Sequence, residues 1–171
     1  MANSVIWCRM LKRNDMVEEV MKSLRTYCES EQFKGWDPYD GLNSKVFQAF
    51  PFFKNSALCR LAVIQGFKRS PINFRRLALV PKEHNAKGIG LFLHGYCNLY
   101  KAVIKNPELA ESLGSAKELL ARVGELADLL ISMQSKGYSG ACWGYNFDWQ
   151  ARRLFLFPRH TPTVVATCFC A

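Results

Sequence analysis

The sequence predicts an all-α protein built from helical hairpins. Apolar residues recur at three- and four-residue spacing through several long stretches, and residues that start and stop helices flank those stretches. The alternation typical of strands is confined to residues 154–157. Because 49% of the 171 residues are hydrophobic, we expect one domain over 1–171 with a core of its own.

The first predicted helix starts at Asn14 or Asp15 and runs to about Ser30. Either residue suits the N-cap position, and the apolar residues that follow have the helical period. Pro38, with a glycine on each side of it, then predicts an irregular loop over 32–43.

A second helix is predicted from Asn55 or Ser56 to about Arg69. Pro71 ends it, because proline and the residue before it resist helical geometry. Residues 82–90, which contain two glycines, are predicted to be a loop.

The third predicted helix, 91–105, is apolar nearly all round, so we expect it to be deeply buried. The next segment starts at Pro107, a favoured first helical position, and runs to about Ser135 with a break near 114–115. A last apolar helix opens at 161–162.

The net charge of +9 is concentrated in the middle of the chain. Residues 45–87 contain nine Lys and Arg but a single acid, Glu83. Such a segment is a solvated basic face or a surface for an anionic glycan, a phosphate or sugar-nucleotide group, or an acidic lipid. The sequence contains no recognition-helix motif and no RNP-like strand pattern, so nucleic acid is not an expected partner.

The compartment is predicted from the N-terminus and the cysteines. No apolar stretch approaches the roughly 20 residues of a transmembrane helix, and the basic residues near the N-terminus follow its apolar run, the reverse of a signal peptide. The seven cysteines form no Cys-x-x-Cys pair, and most lie in apolar helical stretches, which is typical of reduced thiols. We expect a cytoplasmic protein without a metal or another cofactor.

Two short segments combine aromatic, acidic and amide residues in a way that is unusual for a core. They are GWDPYDG at 35–41 and WGYNFDWQ at 143–150. Buried amides and carboxylates each need a hydrogen-bond partner. This composition therefore suits the wall of a cavity for a molecule with both apolar faces and hydroxyls, such as a sugar.

The polar residues of these segments are the candidate site. Because most glycosidases use two carboxyl groups about 5–10 Å apart, the candidate catalytic residues are Asp37, Asp40 and Asp148. The alternative is that each Asp caps a helix or stabilises a turn. The candidate substrate-binding residues are the following aromatic, amide and basic side chains: Trp36, Tyr39, Trp143, Tyr145, Asn146, Trp149, Gln150 and Arg152.

The hairpin pattern and the sequence QSKGYSGACWG at 134–144 resemble those of (α/α) toroid proteins, which include six-hairpin glycosidase-like enzymes and terpenoid cyclases. DPYDGLNS at 37–44, KRSPIN at 68–73 and CWGYNFDWQ at 142–150 resemble more closely a group of uncharacterised bacterial toroid proteins. That group is associated with surface-polysaccharide genes. Some members have the label delta-aminolevulinic acid dehydratase, which we do not expect to apply, because dehydratases of that name resemble (β/α) barrels.

The resemblance implies a partial (α/α) toroid that is truncated at its C-terminus, since the group is about twice as long. It implies a carbohydrate-active or carbohydrate-binding protein of bacterial surface-polysaccharide metabolism, similar to a glycoside hydrolase or lyase if it is an enzyme. The expected ligand is a glycan or an anionic sugar-containing molecule, and the expected partners are polysaccharide-assembly proteins. Two alternatives remain open: a toroid that handles an isoprenoid or polyprenyl phosphate, and a non-catalytic helical-hairpin interaction module.

Overall fold

The structure, a computed structural model, describes residues 2–152 and 155–171, with side chains described from residue 16 onward. Within these residues the α-helices are α1 (Ala2–Ser30), α2 (Lys45–Gln48), α3 (Pro51–Asn55), α4 (Ala57–Arg69), α5 (Ala86–Lys105), α6 (Ala110–Leu113), α7 (Ala116–Ser132) and α8 (Val164–Cys170). Short 3-10 helices lie at Asp40–Asn43 and Pro107–Leu109, and two strands lie at Trp149–Gln150 (β1) and Leu156–Phe157 (β2). The predicted all-α class is confirmed, with 60% of residues in helices.

The larger of two cores forms where α5 packs against α7 and α8. Gly90 is essential to this packing, because a Cβ at that position would lie 2.3 Å from the carbonyl oxygen of Phe169. Only glycine therefore allows α8 to approach α5 so closely. The buried residues of this core are Ala86, Ile89, Tyr96, Val103, Leu113, Leu119, Leu126, Leu130, Trp143 and Ala166.

The smaller core lies under α4 and the 3-10 helix at Asp40–Asn43. Leu42, Phe47 and Ile64 are its buried residues. The antiparallel pair of β1 and β2 lies at its side, and Leu156 of β2 packs against it. The two-residue strand β2 falls within the predicted strand 154–157, of which residue 154 lies outside the described residues.

The predicted limits of α4 and the predicted break before α7 are confirmed. The Ser56 hydroxyl accepts a hydrogen bond from Cys59 N at the start of α4, which ends at Arg69. Gly114 has a φ of +96°, a conformation that favours glycine. Ser115 and Glu118 then form a capping box that starts α7.

Three predicted helix starts are wrong. α1 begins at Ala2, so Asn14 and Asp15 lie inside a continuous helix. α5 begins at Ala86 rather than at residue 91, because Asn85 Oδ1 accepts from Lys87 N at 3.1 Å and caps the helix. α8 begins at Val164 rather than at 161–162, because the hydroxyl of Thr163 accepts from Ala166 N and caps the helix there.

The predicted deep burial of α5 is also wrong, since Leu91 and Ile104 on this helix are 49% and 58% exposed. None of the described helices combines the length and the hydropathy that crossing a membrane requires.

The C-terminal half of helix α1 packs loosely on the larger core. Met21 contacts that core, and the Arg25 guanidinium donates to the carbonyl oxygen of Leu113. From residue 16 onward, much of the apolar surface of α1 is open to solvent, with Met16, Val17, Val20, Leu24 and Tyr27 between 58% and 62% exposed.

Candidate functional site

A cleft of about 540 Å³ lies between the end of α1, the loop that follows it and the segment after α4. We call it the outer cleft. Aromatic and charged side chains alternate on its wall. They include Phe33, Trp36, Asp37, Lys68, Arg75 and Phe92.

A second space of about 160 Å³, the inner cavity, adjoins the outer cleft. The two share Phe33, Trp36, Asp37 and Phe92 as lining residues. Polar side chains from distant parts of the chain complete the inner cavity: Glu83, Asn85 and Asn146. The two aromatic-acidic segments of the sequence therefore meet here, through Trp36 and Asp37 from one and Asn146 from the other.

The position of Trp36 is fixed by backbone and side-chain hydrogen bonds. Gly35 pairs with Glu83 as an isolated antiparallel bridge, with N···O distances of 3.1 and 3.2 Å. The Trp36 indole N–H donates to the carbonyl oxygen of Val80 at 3.0 Å. Lys82 Nζ lies 5.0 Å from the centroid of the same ring, within the range of a cation–π interaction.

Asp37 lies where the outer cleft and the inner cavity meet. Its Oδ1 accepts from Tyr39 N at 2.9 Å, which is the turn-stabilising role considered for this residue. Its Oδ2 accepts from Asn85 Nδ2 at 3.4 Å, close to the limit of a hydrogen bond. Burial raises the pKa of Asp37, although the Tyr39 N–H and the charges of Arg75 and Lys87 act in the opposite direction.

Asp40 is buried and serves the loop rather than the cavities. Its Oδ1 accepts from Arg75 Nε at 2.8 Å, and its Oδ2 accepts from Asp37 N at 3.0 Å. The Arg75 guanidinium also donates to the carbonyl oxygen of Asp37 at 3.1 Å. Both oxygens of Asp40 are therefore occupied in holding Asp37 and Arg75 in place.

Glu83 organises the far wall of the inner cavity. Its Oε2 accepts from the side-chain amides of Asn43 and Asn146, each at 3.2 Å, and its Oε1 lies 3.6 Å from an Arg159 nitrogen. Asn43 Nδ2 also donates to the backbone oxygen of Asn146 at 3.0 Å. Among the described residues, Asn146 Oδ1 is the one buried side-chain oxygen or nitrogen without a hydrogen-bond partner.

Glu83, Asn85 and Asn43 were not among the site residues predicted from sequence. Glu83 could have been noticed because it is the single acid in the basic segment 45–87. Asn85 could have been recognised as an N-cap if the glycines after it had not favoured a loop. Asn43 had no distinguishing pattern.

Within the described part of the chain, Asp148 has no contact in common with the other two candidate carboxylates. Its Oδ1 accepts from the backbone N–H of Arg159 at 2.8 Å, and it lines neither the outer cleft nor the inner cavity. Tyr145 stacks on Phe147 with ring centroids 5.2 Å apart. Burial and the charge of Asp37 raise the pKa of the Tyr145 hydroxyl.

The two tryptophans of the segment 143–150 pack against other parts of the protein. Trp143 is only 6% exposed within the larger core, and its indole N–H donates to the Leu130 carbonyl oxygen at 2.8 Å. Trp149 stacks on Phe157 across the β1–β2 pair, with centroids 5.2 Å apart. Neither ring lines the outer cleft or the inner cavity.

Gln150, Arg152 and Tyr39 lie at three different places. Gln150 is buried, and its Oε1 accepts from Arg60 Nε at 2.8 Å. Arg152 is exposed and lines neither cavity. The Tyr39 hydroxyl accepts from Lys68 Nζ at 2.6 Å, so Tyr39 positions an ammonium group that lines the outer cleft.

The site thus combines aromatic rings, two carboxylates and two cations around one connected space. No protein-family model, curated protein or solved structure matches the chain.

Proposed function

We propose that this chain binds a glycan or another anionic sugar-containing ligand in the outer cleft and the inner cavity. The supporting observation is that Trp36 and Asp37 line both spaces, while Lys68 and Arg75 line the outer one. An aromatic ring suits the apolar face of a sugar, and a carboxylate accepts from its hydroxyls. The Lys68 ammonium suits a carboxylate or phosphate substituent, whereas the Arg75 charge is shared with its partner Asp40.

We propose the biological setting that the sequence resemblance implies. The chain would act in the cytoplasm in bacterial surface-polysaccharide metabolism, next to polysaccharide-assembly proteins. The helical pairs would form part of an (α/α) toroid, and the packing of α5 against α7 is compatible with this arrangement.

If the protein is an enzyme, the proposed carboxyl pair is Asp37 and Glu83, since both line the inner cavity. Asp37 suits the role of a general acid, because burial raises its pKa. Incubating acidic oligosaccharides with wild-type protein and with Asp37→Asn tests this role. Turnover that is lost in the variant, with binding retained, would support it.

Titration calorimetry of the full chain with hexose 1-phosphates and uronate oligosaccharides tests binding. We expect Lys68→Met to weaken binding about tenfold and to reduce its salt dependence, since a charge-assisted contact is removed. Lys54→Met is the matched control, because Lys54 is exposed and lies outside both cavities. Absence of binding to all of these ligands, or equal losses in the two variants, would contradict the proposal.

A polyprenyl-phosphate ligand is the second candidate function. It is favoured by an apolar groove of about 190 Å³ between α1 and α5, which shares Cys28, Phe33 and Phe92 with the outer cleft. An isoprenoid chain in the groove would place its phosphate near the cations of the cleft. Tighter binding of farnesyl phosphate than of inorganic phosphate, weakened by Leu24→Ser in the groove, would support this candidate over a free glycan.

The exposed apolar side of α1 favours a third candidate, a non-catalytic interaction module. Co-purification with a polysaccharide-assembly protein, lost on Val20→Lys and unaffected by Lys68→Met, would support it.

A further inference from the structure

The inner cavity contains an acceptor that the protein does not satisfy. Asn146 is 7% exposed, and its Oδ1 has no hydrogen-bond partner. Its amide orientation follows from Glu83, because a carboxylate can only accept and the Asn146 Nδ2 must face it. A buried amide oxygen without a donor is unfavourable unless another molecule donates to it.

The polar groups around the cavity are satisfied to different degrees. Asn43 Nδ2 uses both of its N–H groups, on Glu83 Oε2 and on the Asn146 backbone oxygen. Asn146 Nδ2 donates to Glu83, and Asn85 Nδ2 donates to Asp37 Oδ2 over a long 3.4 Å, so each has one of its two N–H groups in use. Among the described residues, Asn146 Oδ1 is the group without any partner, and a ligand that donates a hydrogen bond would satisfy it.

The charges near the cavity favour a neutral donor over a cation. Arg75 and Lys87 act on Asp37, and Arg159 lies 3.6 Å from Glu83. An ammonium group or metal ion would meet carboxylates that already have positive neighbours. Among the described residues, no group of three or more His, Cys, Asp or Glu side chains is arranged to hold a metal ion.

The size and the apolar walls limit the ligand group further. The inner cavity, at about 160 Å³, is much smaller than the outer cleft of about 540 Å³. It therefore suits one ring rather than a chain of rings. Phe33, Trp36 and Phe92 provide aromatic surface for the C–H groups of such a ring.

We infer that the inner cavity is a subsite for one neutral, hydroxyl-bearing sugar ring, and that Asn146 Oδ1 accepts a hydrogen bond from one of its hydroxyls. The inference rests on the proposed function and specifies the orientation of the bound ligand. The neutral ring enters the inner cavity, and the anionic group stays in the outer cleft near Lys68 and Arg75.

Methyl glycosides of glucose, galactose and mannose test the subsite on the unmodified protein. Titration followed by ligand-detected NMR compares each glycoside with its monodeoxy analogues. We expect removal of one particular hydroxyl to weaken binding about tenfold, because the buried oxygen then loses its donor. Failure of every methyl glycoside to bind, or equal binding of all deoxy analogues, would overturn the inference.

Variants of the two asparagines locate the effect. Asn146→Ala should weaken the binding of a hexose 1-phosphate about tenfold and leave the binding of inorganic phosphate unchanged. Asn98→Ala is the matched control, since Asn98 is exposed on α5 and lines neither the outer cleft nor the inner cavity. Unchanged hexose-phosphate binding in Asn146→Ala would overturn the inference. If circular dichroism shows that this variant is unfolded, the deoxy series alone decides.

The same measurements separate this inference from the proposed function. If wild type binds neither inorganic phosphate nor hexose phosphates but binds methyl glycosides through one hydroxyl, the anionic-ligand proposal fails and the subsite stands. If glucosamine or Ca²⁺ binds more tightly than methyl glucoside and loses that binding in Asn146→Ala, the subsite is cationic and the inference is wrong.

Discussion

Arg75 and Asp40 form a buried ion pair, with Arg75 Nε 2.8 Å from Asp40 Oδ1 and side chains only 11% and 4% exposed. The same guanidinium donates to the backbone of Asp37. The loop with Trp36 and Asp37 is thereby attached to the segment after α4, on the opposite side of the outer cleft. This ion pair therefore joins the backbone bridge of Gly35 and Glu83 in holding the loop of the candidate site in place.

We expect Asp40→Ala to lower the free energy of unfolding by about 3–5 kcal/mol, because Arg75 would remain buried without its partner. Urea denaturation measures the change. Glu125→Ala, which breaks the exposed Arg122–Glu125 pair on α7, is the control and should cost less than about 1 kcal/mol. Similar small losses in both variants would show that the buried pair contributes little.

Gly90→Ala should destabilise the protein by about 1–3 kcal/mol, since the new methyl group would lie 2.3 Å from the Phe169 carbonyl oxygen and separate α8 from α5. Gly95→Ala on the same helix has no atom within 4 Å and should be neutral or stabilising by up to about 1 kcal/mol. Thermal unfolding of the two variants provides the comparison. A stable Gly90→Ala protein would mean that α8 packs elsewhere.

Trp143→Phe should lower the free energy of unfolding by about 1–3 kcal/mol, because the Leu130 carbonyl oxygen loses one of its two donors and the core loses volume. Trp149→Phe should change it by no more than about 0.5 kcal/mol, because Trp149 is 37% exposed. Denaturant titration of both proteins measures the difference. Loss of glycan binding in a fully stable Trp143→Phe protein would instead indicate that this ring contacts the ligand.

Asp37→Asn should gain stability relative to wild type as the pH rises. The pKa of Asp37 is raised in the folded chain, whereas an unfolded aspartate titrates near pH 3.9, at about the model-peptide value. Its contribution to stability is therefore complete below the unfolded pKa and is lost as the pH rises through the folded pKa. Melting temperatures measured from acid to neutral pH follow the difference. Asp128→Asn on α7 controls for the loss of one negative charge, and a difference that grows toward acid pH would be contrary to expectation.

A capping residue before a periodic segment indicated helix starts with mixed success: Asn14 and Asp15 show both signals but lie inside α1. Ser56 and Ser115 are N-caps directly before apolar periodic segments, and both helices start there. The start of α5 was missed because Gly88 and Gly90 are typical of a loop, while a packing requirement explains Gly90. The local sequence does not predict the limits of a helix when tertiary packing determines them.

The candidate site was predicted only in part for a similar reason. Trp36 and Trp143 lie in segments of similar composition, but the first lines a cavity and the second is enclosed by the larger core. Burial depends on which helices lie nearby, and composition does not contain that information. Glu83 reaches Asn146 across 63 positions of the chain, so their contact arises only from the fold.

The outer cleft lies between two cores that are packed separately, with Phe92 contacting the larger one and Lys68 extending from α4 beside the smaller one. A ligand that contacts both sides of the cleft could bind only to molecules in which both cores are folded. Binding would therefore couple their unfolding. On ligand binding, the free energy of unfolding the smaller core alone would rise toward that of global unfolding. Amide hydrogen exchange in α4 would therefore slow to a rate near that of α5.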